Sequence, residues 1–303
     1  MIKKLLQWGG AGILGVALLA YAWLWIGSER IFNETHALPA SDFVATGTPE
    51  AIAQGEALTR AIGCHGCHAD GMVGQVLFEE PFVARVIAPS VRTAAETYSD
   101  ADFDRAIRWG IRPDGKGLIA MPSPALRHLS DEDLDAIVSY IRSLDTGVIP
   151  DLPKNRYGPL ARFGMMMGEF ETAAVGAAEG SDAQAQIEAQ LAMATTEEER
   201  RGAYISMIVC SDCHGFDLAG GEGPDGLATD LRMVLAYSDS AFMALMREGR
   251  AHDGRDIGMM GEVYERMGGF TDDDIRAIRA YAMARAAGLA GGTSSIESEV
   301  DPR

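Results

Sequence analysis

The chain is 303 residues long, carries a formal net charge of −18 at pH 7 and has a pI near 4.7. This length is sufficient for two or three small domains. The excess of carboxylates argues against nucleic acid as a partner, because phosphates would repel the chain. A protein partner with a basic docking face and a merely soluble acidic surface are both compatible with the charge.

The amino-terminal segment is predicted to anchor the chain in the inner (cytoplasmic) membrane. Two lysines precede an uncharged apolar run over residues 5–26. As a helix this run is about 33 Å long, enough to cross a hydrocarbon core of about 30 Å. The lysines before it, with Glu29 after it, predict that the later residues lie in the periplasm. We favour a retained single-pass anchor, residues 1–27, over a signal peptide with its cleavage site at Ala20-Tyr21-Ala22.

A tether and a helix follow the anchor. Residues 28–47 show no clear period, and Thr48-Pro49 then places a capping hydroxyl before a proline at the first helical position. The helix leads into Cys64-His65-Gly66-Cys67-His68. Two cysteines separated by two residues and followed by a histidine are the attachment site of c-type haem. Cys64 and Cys67 would form the thioethers, and His68 would be the proximal iron ligand.

The next segment is predicted to complete this site. The second ring nitrogen of His68 should donate to a carbonyl that fixes the ring, and Pro89 is predicted to supply that carbonyl. A capping box at Ser99 starts a short helix. Met121 lies a domain's length after the cysteines, and its thioether is the candidate sixth ligand of the iron.

A core helix and a linker come next. Ser130 is followed by three acidic residues and then by apolar residues at helical spacing over residues 134–144, which predicts a helix with one buried stripe. Residues 148–195 are interpreted as a linker. Its prolines favour an extended path along a domain surface, and residues 184–194 are a candidate helix.

The second half repeats the first. A helix capped at Thr196 leads into Cys210-Ser211-Asp212-Cys213-His214, in which Cys210 and Cys213 would hold a second haem and His214 would bind its iron. Residues 98–121 and 237–260 are identical at nine of 24 positions, at a constant shift of 139. A closing helix begins at Thr271, and the polar end of the chain is expected to be a flexible tail.

Met260 occupies the place of Met121 in the repeat and is the candidate sixth ligand of the second iron, with Met259 as its adjacent competitor. Two histidines per iron would require His128 or His252, and neither has a counterpart in the other half. The acceptor for His214 stays open, because the counterpart of Pro89, near Thr229, is not a proline.

Two covalently bound haem c groups are therefore the predicted cofactors. The two motifs contain all four cysteines of the chain. In a zinc site the two cysteine pairs would lie closer together in the sequence than they do here. A thioredoxin-type redox pair would lie within a βαβ pattern, and the sequence shows no such pattern.

Residues 50–145 resemble the small c-type cytochrome domains in the cytochrome subunits of bacterial membrane-bound alcohol and related dehydrogenases. Residues 197–287 are similar but weaker. The residues that carry the resemblance are Cys64 to His68, Ala88-Pro89, Tyr98 to Phe103, Arg108-Trp109-Gly110, Asp114-Gly115, Met121-Pro122 and Leu129 to Leu134. The resemblance implies the class I cytochrome c fold, with histidine on one side of each haem and methionine on the other. With two attachment sites, the chain fits the looser group of membrane-anchored diheme cytochromes.

The predicted fold class is all-α, with two tandem class I cytochrome c domains preceded by a single N-terminal transmembrane helix. The predicted boundaries are the anchor 1–27, the tether 28–47, the first domain 48–147, the linker 148–195, the second domain 196–288 and the tail 289–303.

The predicted function is the relay of single electrons at the periplasmic face. The redox partners would be a dehydrogenase, a quinol-oxidising complex or a terminal oxidase. The sequence shows no Gly-rich nucleotide loop and no catalytic-triad spacing, so no catalytic residue is predicted. The alternatives are a diheme peroxidase, in which one iron would have an open sixth position, and a passive subunit that only docks a partner.

Overall fold

The computed structural model of the chain describes residues 2–145, 147–223 and 226–297. Its helices are α1 (Ile2–Phe32), α2 (Pro49–Ile62), α3 (Cys64–His68), α4 (Val91–Thr97), α5 (Asp100–Trp109), α6 (Ser123–Leu126), α7 (Asp131–Ser143), α8 (Pro159–Met167), α9 (Ala173–Gly176), α10 (Asp182–Leu191), α11 (Glu197–Ile205), α12 (Ser211–His214), α13 (Asp239–Glu248) and α14 (Asp272–Glu297). Its strands are β1 (Gln75–Glu80), β2 (Ala84–Ala88), β3 (Arg156–Tyr157), β4 (Gly221–Gly223) and β5 (Gly226–Ala228).

The amino-terminal helix is longer than the predicted anchor. Its stretch Gln7–Phe32 is long and apolar enough to cross a membrane, and none of its most apolar window is buried in the protein. The helix continues past residue 27 to Phe32, so the irregular tether starts later than predicted. The last turn is held by the linker, because the Phe32 ring stacks on Tyr157 with centroids 4.3 Å apart.

The first half is built on a crossing of α2 and α7. The Thr48 hydroxyl accepts from the amide of Ala51 at 3.2 Å, so α2 begins where the sequence predicts. At the crossing, a Cβ on Gly55 would lie 1.9 Å from the carbonyl oxygen of Ala136. Only glycine allows this close approach of the two backbones.

The second half repeats that crossing with α11 and α14. A Cβ on Gly202 would lie 1.9 Å from the Ala277 carbonyl oxygen. The predicted caps at Thr196 and Thr271 are both present.

The two copies of the repeated sequence, residues 98–121 and 237–260, also make equivalent contacts. Arg108 in α5 donates to the Leu129 carbonyl and pairs with Asp131 at 2.8 Å. Arg247 in α13 donates to the Phe270 carbonyl and pairs with Asp272 at 2.9 Å. In each half an arginine therefore joins the middle helix to the cap of the closing helix.

The chain is mostly helical, as predicted, but it also contains two small antiparallel sheets that an all-α fold would lack. β1 pairs with β2, and β2 with β3, while β4 pairs with β5. Each set begins a few residues after a cysteine motif. The strands are short, and their alternation of apolar and polar residues is too brief to distinguish them from loop.

The linker is folded over most of its length. Only its first residues are extended, as predicted, and β3, α8, α9 and α10 follow. The predicted helix over residues 184–194 is α10, which starts earlier because the Ser181 hydroxyl accepts from the Gln184 amide at 3.2 Å.

The closing helix also extends past its predicted end. α14 runs to Glu297, beyond residue 288, whereas residues 298–303 lie outside the described residues. The alanine-rich sequence before residue 290 favours continuation of the helix, because alanine is the best helix former.

The two halves share one hydrophobic core. A single cluster of buried side chains contains Leu58 and Ile137 of the first half and Ile205 and Ile278 of the second. Across this core the Tyr204 hydroxyl donates to the Asp133 carboxylate. The helices α2 and α11, which precede the cysteine motifs, both contribute to this cluster, whereas Cys210 packs against a second, smaller cluster that contains Met207, Leu218 and Tyr281.

Candidate functional site

The first cysteine motif is a single helical turn placed by a left-handed glycine. Gly63, with φ of 90°, ends α2 and starts α3, which contains Cys64, Cys67 and His68. Burial and the neighbouring Cys67 raise the pKa of the Cys64 thiol to about 12. The thiol is therefore neutral at physiological pH and differs from the low-pKa thiolate of a nucleophilic cysteine.

The ring of His68 is fixed as the sequence predicts. His68 Nδ1 lies 2.8 Å from the Pro89 carbonyl oxygen. Burial lowers the pKa of His68, so the ring is neutral and Nδ1 carries the proton that it donates. The lone pair is then on Nε2, which is the arrangement of a histidine that binds a metal.

The structure also supplies the acceptor that the sequence left open. His214 Nδ1 lies 2.6 Å from the Thr229 carbonyl oxygen, and burial lowers the pKa of this ring as well. Pro89 is 21 residues after its histidine and Thr229 is 15 after its own. The difference is taken up by the strands, because β4 and β5 are shorter than β1 and β2. Proline is not required, since the backbone carbonyl alone accepts the hydrogen bond.

Sequence reasoning missed two glycines that bring each histidine to its acceptor. The amides of Gly74 and Gly220 donate to the carbonyls of His68 and His214 at 2.8 and 2.9 Å. Their φ values are +86° and +82°, and a Cβ on either would lie within 2.7 Å of the backbone around the acceptor. Each glycine is the sixth residue after its histidine, and this shared spacing was the available signal.

The chain enters the second motif without a glycine break. α11 continues through a π-helical turn, Ser206–Cys210, directly into α12. The Ser211 hydroxyl donates to the Met207 carbonyl inside this wider turn. Burial and the nearby Cys213 raise the pKa of the Cys210 thiol to about 12, as for Cys64.

Both candidate methionines are partly buried. Met121 follows Ala120, which has a φ of 60°, and packs against the shared core. Met260, in the 3₁₀ turn Gly258–Gly261, packs against the same core, whereas Met259 is exposed. Burial therefore favours Met260 over Met259. Coordination of an iron by either Met121 or Met260 stays a prediction.

The histidines that would serve a two-histidine iron have other contacts. His128 Nε2 lies 2.9 Å from Gln184 Oε1. The exposed His252 ring packs edge-on to Tyr237 with centroids 4.7 Å apart. Neither contact places the ring in a cysteine motif.

Charged residues of the second half lie near the first cysteine motif. Arg266 of the second half lies against Gly63, where a Cβ would be 3.5 Å from its guanidinium. Asp212 of the second motif is close enough to Cys67 of the first to act on that thiol, whose pKa is raised by burial and by this carboxylate. The second half thus contributes charged groups to the surroundings of the first motif.

The donor set in each motif fits a covalent haem. Each contains two thiols at the attachment spacing and an imidazole with its Nδ1 already bonded to a carbonyl. Among residues 2–145, 147–223 and 226–297, no group of three or more His, Cys, Asp or Glu side chains is arranged to hold a metal ion.

Residues 50–141 match the family model described as cytochrome c oxidase, cbb3-type, subunit III. This segment is a cytochrome c domain. The cytochrome c domain contains the first cysteine motif, Pro89 and Met121, but ends before the second half begins.

Curated relatives extend the similarity over more of the chain. The chain is 25% identical over 280 residues to the fructose dehydrogenase cytochrome subunit of Gluconobacter japonicus, covering 82% of this chain and 55% of that protein. It is 27% identical over 260 residues to the alcohol dehydrogenase (quinone) cytochrome c subunit of Gluconacetobacter polyoxogenes, covering 73% and 52%. It is 32% identical over 113 residues to the gluconate 2-dehydrogenase cytochrome c subunit of Pantoea cypripedii, covering 35% and 25%.

The chain spans about half the length of the first two of these relatives. It is thus similar to cytochrome subunits of dehydrogenases. These comparisons do not favour the peroxidase alternative.

Proposed function

We propose that the chain is a membrane-anchored diheme cytochrome c that relays single electrons. The observation that carries this proposal is the construction of the two motifs. In both, two half-buried thiols precede a histidine whose Nδ1 is bonded to a backbone carbonyl after a short strand. Each half would be a class I cytochrome c domain with its own covalent haem.

The residues of the chain would hold and orient the cofactors. Bound haem iron exchanges one electron by changing between its ferrous and ferric states. Cys64 and Cys67 would attach the first haem, and Cys210 and Cys213 the second. The carbonyls of Pro89 and Thr229 fix the ligating histidines, and Met121 and Met260 would complete the coordination with soft thioethers that favour reduced iron.

Charged groups of the second half near the first motif support transfer from one haem to the other. The Arg266 guanidinium lies beside Gly63 and Gly66, and the Asp212 carboxylate of the second motif acts on the Cys67 thiol. An electron accepted at one haem would pass to the second within the same chain.

The anchor and the relatives indicate where the relay operates and with what partners. The helix α1 would fix the chain in the inner membrane, with both haems in the periplasm. The similarity to dehydrogenase cytochrome subunits favours a dehydrogenase as the electron donor. A quinol-oxidising complex or a terminal oxidase would be the other partners in the relay.

A spectroscopic redox titration of the full chain, purified from membranes, tests this function. We expect two one-electron steps that are reversible, and no change in the reduced spectrum on addition of carbon monoxide. Stoichiometric carbon monoxide binding at one haem would show an open sixth position and would contradict the relay assignment for that haem.

A further inference from the structure

The linker helix α8 has one apolar face that nothing in the described protein covers. Leu160, Phe163 and Met167 follow one another at helical spacing and are 61%, 50% and 54% exposed. Phe82, at 74%, and Phe170, at 60%, are exposed beside them. The amide of Leu160 donates to the Phe82 carbonyl at 3.2 Å, and the Phe170 ring packs on Gly164. We name these five side chains the apolar belt.

The opposite face of α8 is fixed to the end of α1. Arg162, only 5% exposed, donates to Ser28 Oγ and to Glu29 Oε1, both at 2.7 Å. Its guanidinium lies 3.7 Å above the ring of Trp25. Next to it, Met166 packs so closely on Gly27 that a Cβ there would lie 2.6 Å from the methyl carbon. These contacts therefore fix the position of α8 relative to the last turns of α1.

This contact determines what can cover the belt. The exposed apolar surface of α1 continues up to Trp23 and Ile26, which are 59% and 55% exposed, and α8 is docked directly after them. A contiguous apolar patch in water marks an interaction surface. Because the belt continues the surface of a helix that is itself suited to lipid, the same bilayer is the nearest apolar phase. Aromatic and aliphatic side chains on a short helix parallel to the membrane suit the interface between headgroups and acyl chains.

We propose that α8 is an interfacial helix whose apolar belt inserts into the outer leaflet of the lipid bilayer. This inference rests on the proposed membrane anchoring by α1, but it adds a second contact with lipid. A helix lying on the surface and joined to α1 restricts how the cytochrome c domain can tilt. The first haem would then be kept in a defined orientation toward the membrane.

Photocrosslinking of the full chain in nanodiscs of phosphatidylcholine and phosphatidylglycerol tests the proposal. A benzophenone side chain is introduced separately by Leu14→p-benzoylphenylalanine, Phe163→p-benzoylphenylalanine and Leu235→p-benzoylphenylalanine. Position 14 reports the anchor, and Leu235, 63% exposed in the second half, is the matched exposed control. After illumination we expect lipid adducts at positions 14 and 163, with at least a tenfold lower yield at 235.

Each other outcome identifies a different failure. Equal lipid yields at 163 and 235 would overturn the interfacial helix, and chain-to-chain adducts at 163 would replace it with a dimer contact. Absence of lipid adducts at 14 would overturn the anchor and this inference together. The haem absorbance of the same samples reports the electron relay separately, so its loss is distinguishable from a failure of lipid contact.

A second measurement uses the unmodified chain. Met167 is 54% exposed and Met259 is 37% exposed, so in the protein alone Met167 should react faster with hydroxyl radicals. In nanodiscs, radiolytic footprinting should reverse this order, with Met167 oxidised several-fold more slowly than Met259. Retention of the order that exposure predicts would contradict insertion of the belt.

Discussion

At the scale of single residues, each site depends on one histidine, one carbonyl and one glycine. Pro89 was predictable as an acceptor because a ligating histidine needs one and the first motif is followed by a rigid Ala-Pro-Ser segment. The second acceptor could be placed near Thr229 from the repeat but not assigned, because any backbone carbonyl can accept and the intervening strands differ in length. The glycines escaped notice because their positive φ values arise only from the folded loop.

Alanine at either glycine should disturb the nearby histidine. In Gly74→Ala and Gly220→Ala the new Cβ would meet the backbone at 2.6 and 2.4 Å. Gly168→Ala is the control, since Gly168 has a similar φ of +78° with open space around it. We expect the control to lose about 1–2 kcal/mol of unfolding free energy and the other two a further ~1–3 kcal/mol from steric overlap. Equal losses in denaturant titrations would show that the close approach is unimportant.

If Met260 is an iron ligand, its replacement should change the redox potential of one haem. In Met260→Ala the loss of a thioether ligand should lower the potential of one haem, within the ~0.8 V range over which axial ligands act. Met259→Ala should leave both potentials unchanged, because Met259 is exposed and Met260 is packed against the core. Redox titration of both variants shows which methionine is the iron ligand. A potential shift in the Met259 variant alone would assign the ligand to Met259 instead of Met260.

At the scale of elements, the helices that pack into the core were predictable and the connections were not. Capping residues at Thr48, Ser99, Ser130 and Thr196 marked helix starts that the structure contains. Local hydrogen bonds decide such starts, so local sequence reveals them. The linker differs because its fold depends on distant contacts, chiefly that of Arg162 with the end of α1.

Removal of the Arg162 guanidinium should release α8 from α1. Arg162→Ala loses the bonds to Ser28 and Glu29 and the contact with Trp25, at a cost of about 2–3 kcal/mol. Arg162→Lys keeps the charge but cannot make both bonds with one planar group, so an intermediate effect is expected. Hydrogen exchange of residues 156–167 should be faster in both variants, most in the alanine variant. Unchanged exchange would mean that α8 is held by its other contacts.

At the scale of the whole molecule, a shared hydrophobic cluster and the hydrogen bonds of the Tyr204 hydroxyl join the two halves. The internal repeat predicted two similar units but not their packing, because the repeat contains no information on which surfaces meet. The structure shows that Tyr204 of the second half reaches Asp133 and the Ser130 amide of the first. These contacts fix α11, which leads toward the second cysteine motif, against the start of α7.

The Tyr204 contact should give the stability a dependence on alkaline pH. Burial and the Asp133 carboxylate raise the pKa of Tyr204 to about 12, above the ordinary value of about 10. Because the folded state retains the proton longer, the contribution is complete below about pH 10 and is lost as the pH rises toward 12. Tyr204→Phe should therefore show a shallower loss of unfolding free energy between pH 10 and 12 than the parent. Parallel curves would rule out titration of this hydroxyl as the cause.

Arg266 should influence the potential of the first haem. Its positive charge lies against Gly63 and Gly66 and acts on Cys67, so it disfavours the more positive oxidised state. Arg266→Ala should lower that potential, more at low than at high ionic strength. Arg255→Ala, at an arginine whose side chain is 59% exposed, should have a smaller effect. Equal shifts in the two variants would indicate a general effect of net charge.

The central claim is that the chain carries two covalent haems, and intact-mass spectrometry of the full chain under denaturing conditions tests it most directly. The account predicts a chain mass increased by two haem equivalents, with one haem on the peptide containing Cys64 and Cys67 and one on the peptide containing Cys210 and Cys213. A mass equal to that of the bare chain, or increased by a single haem, would contradict it.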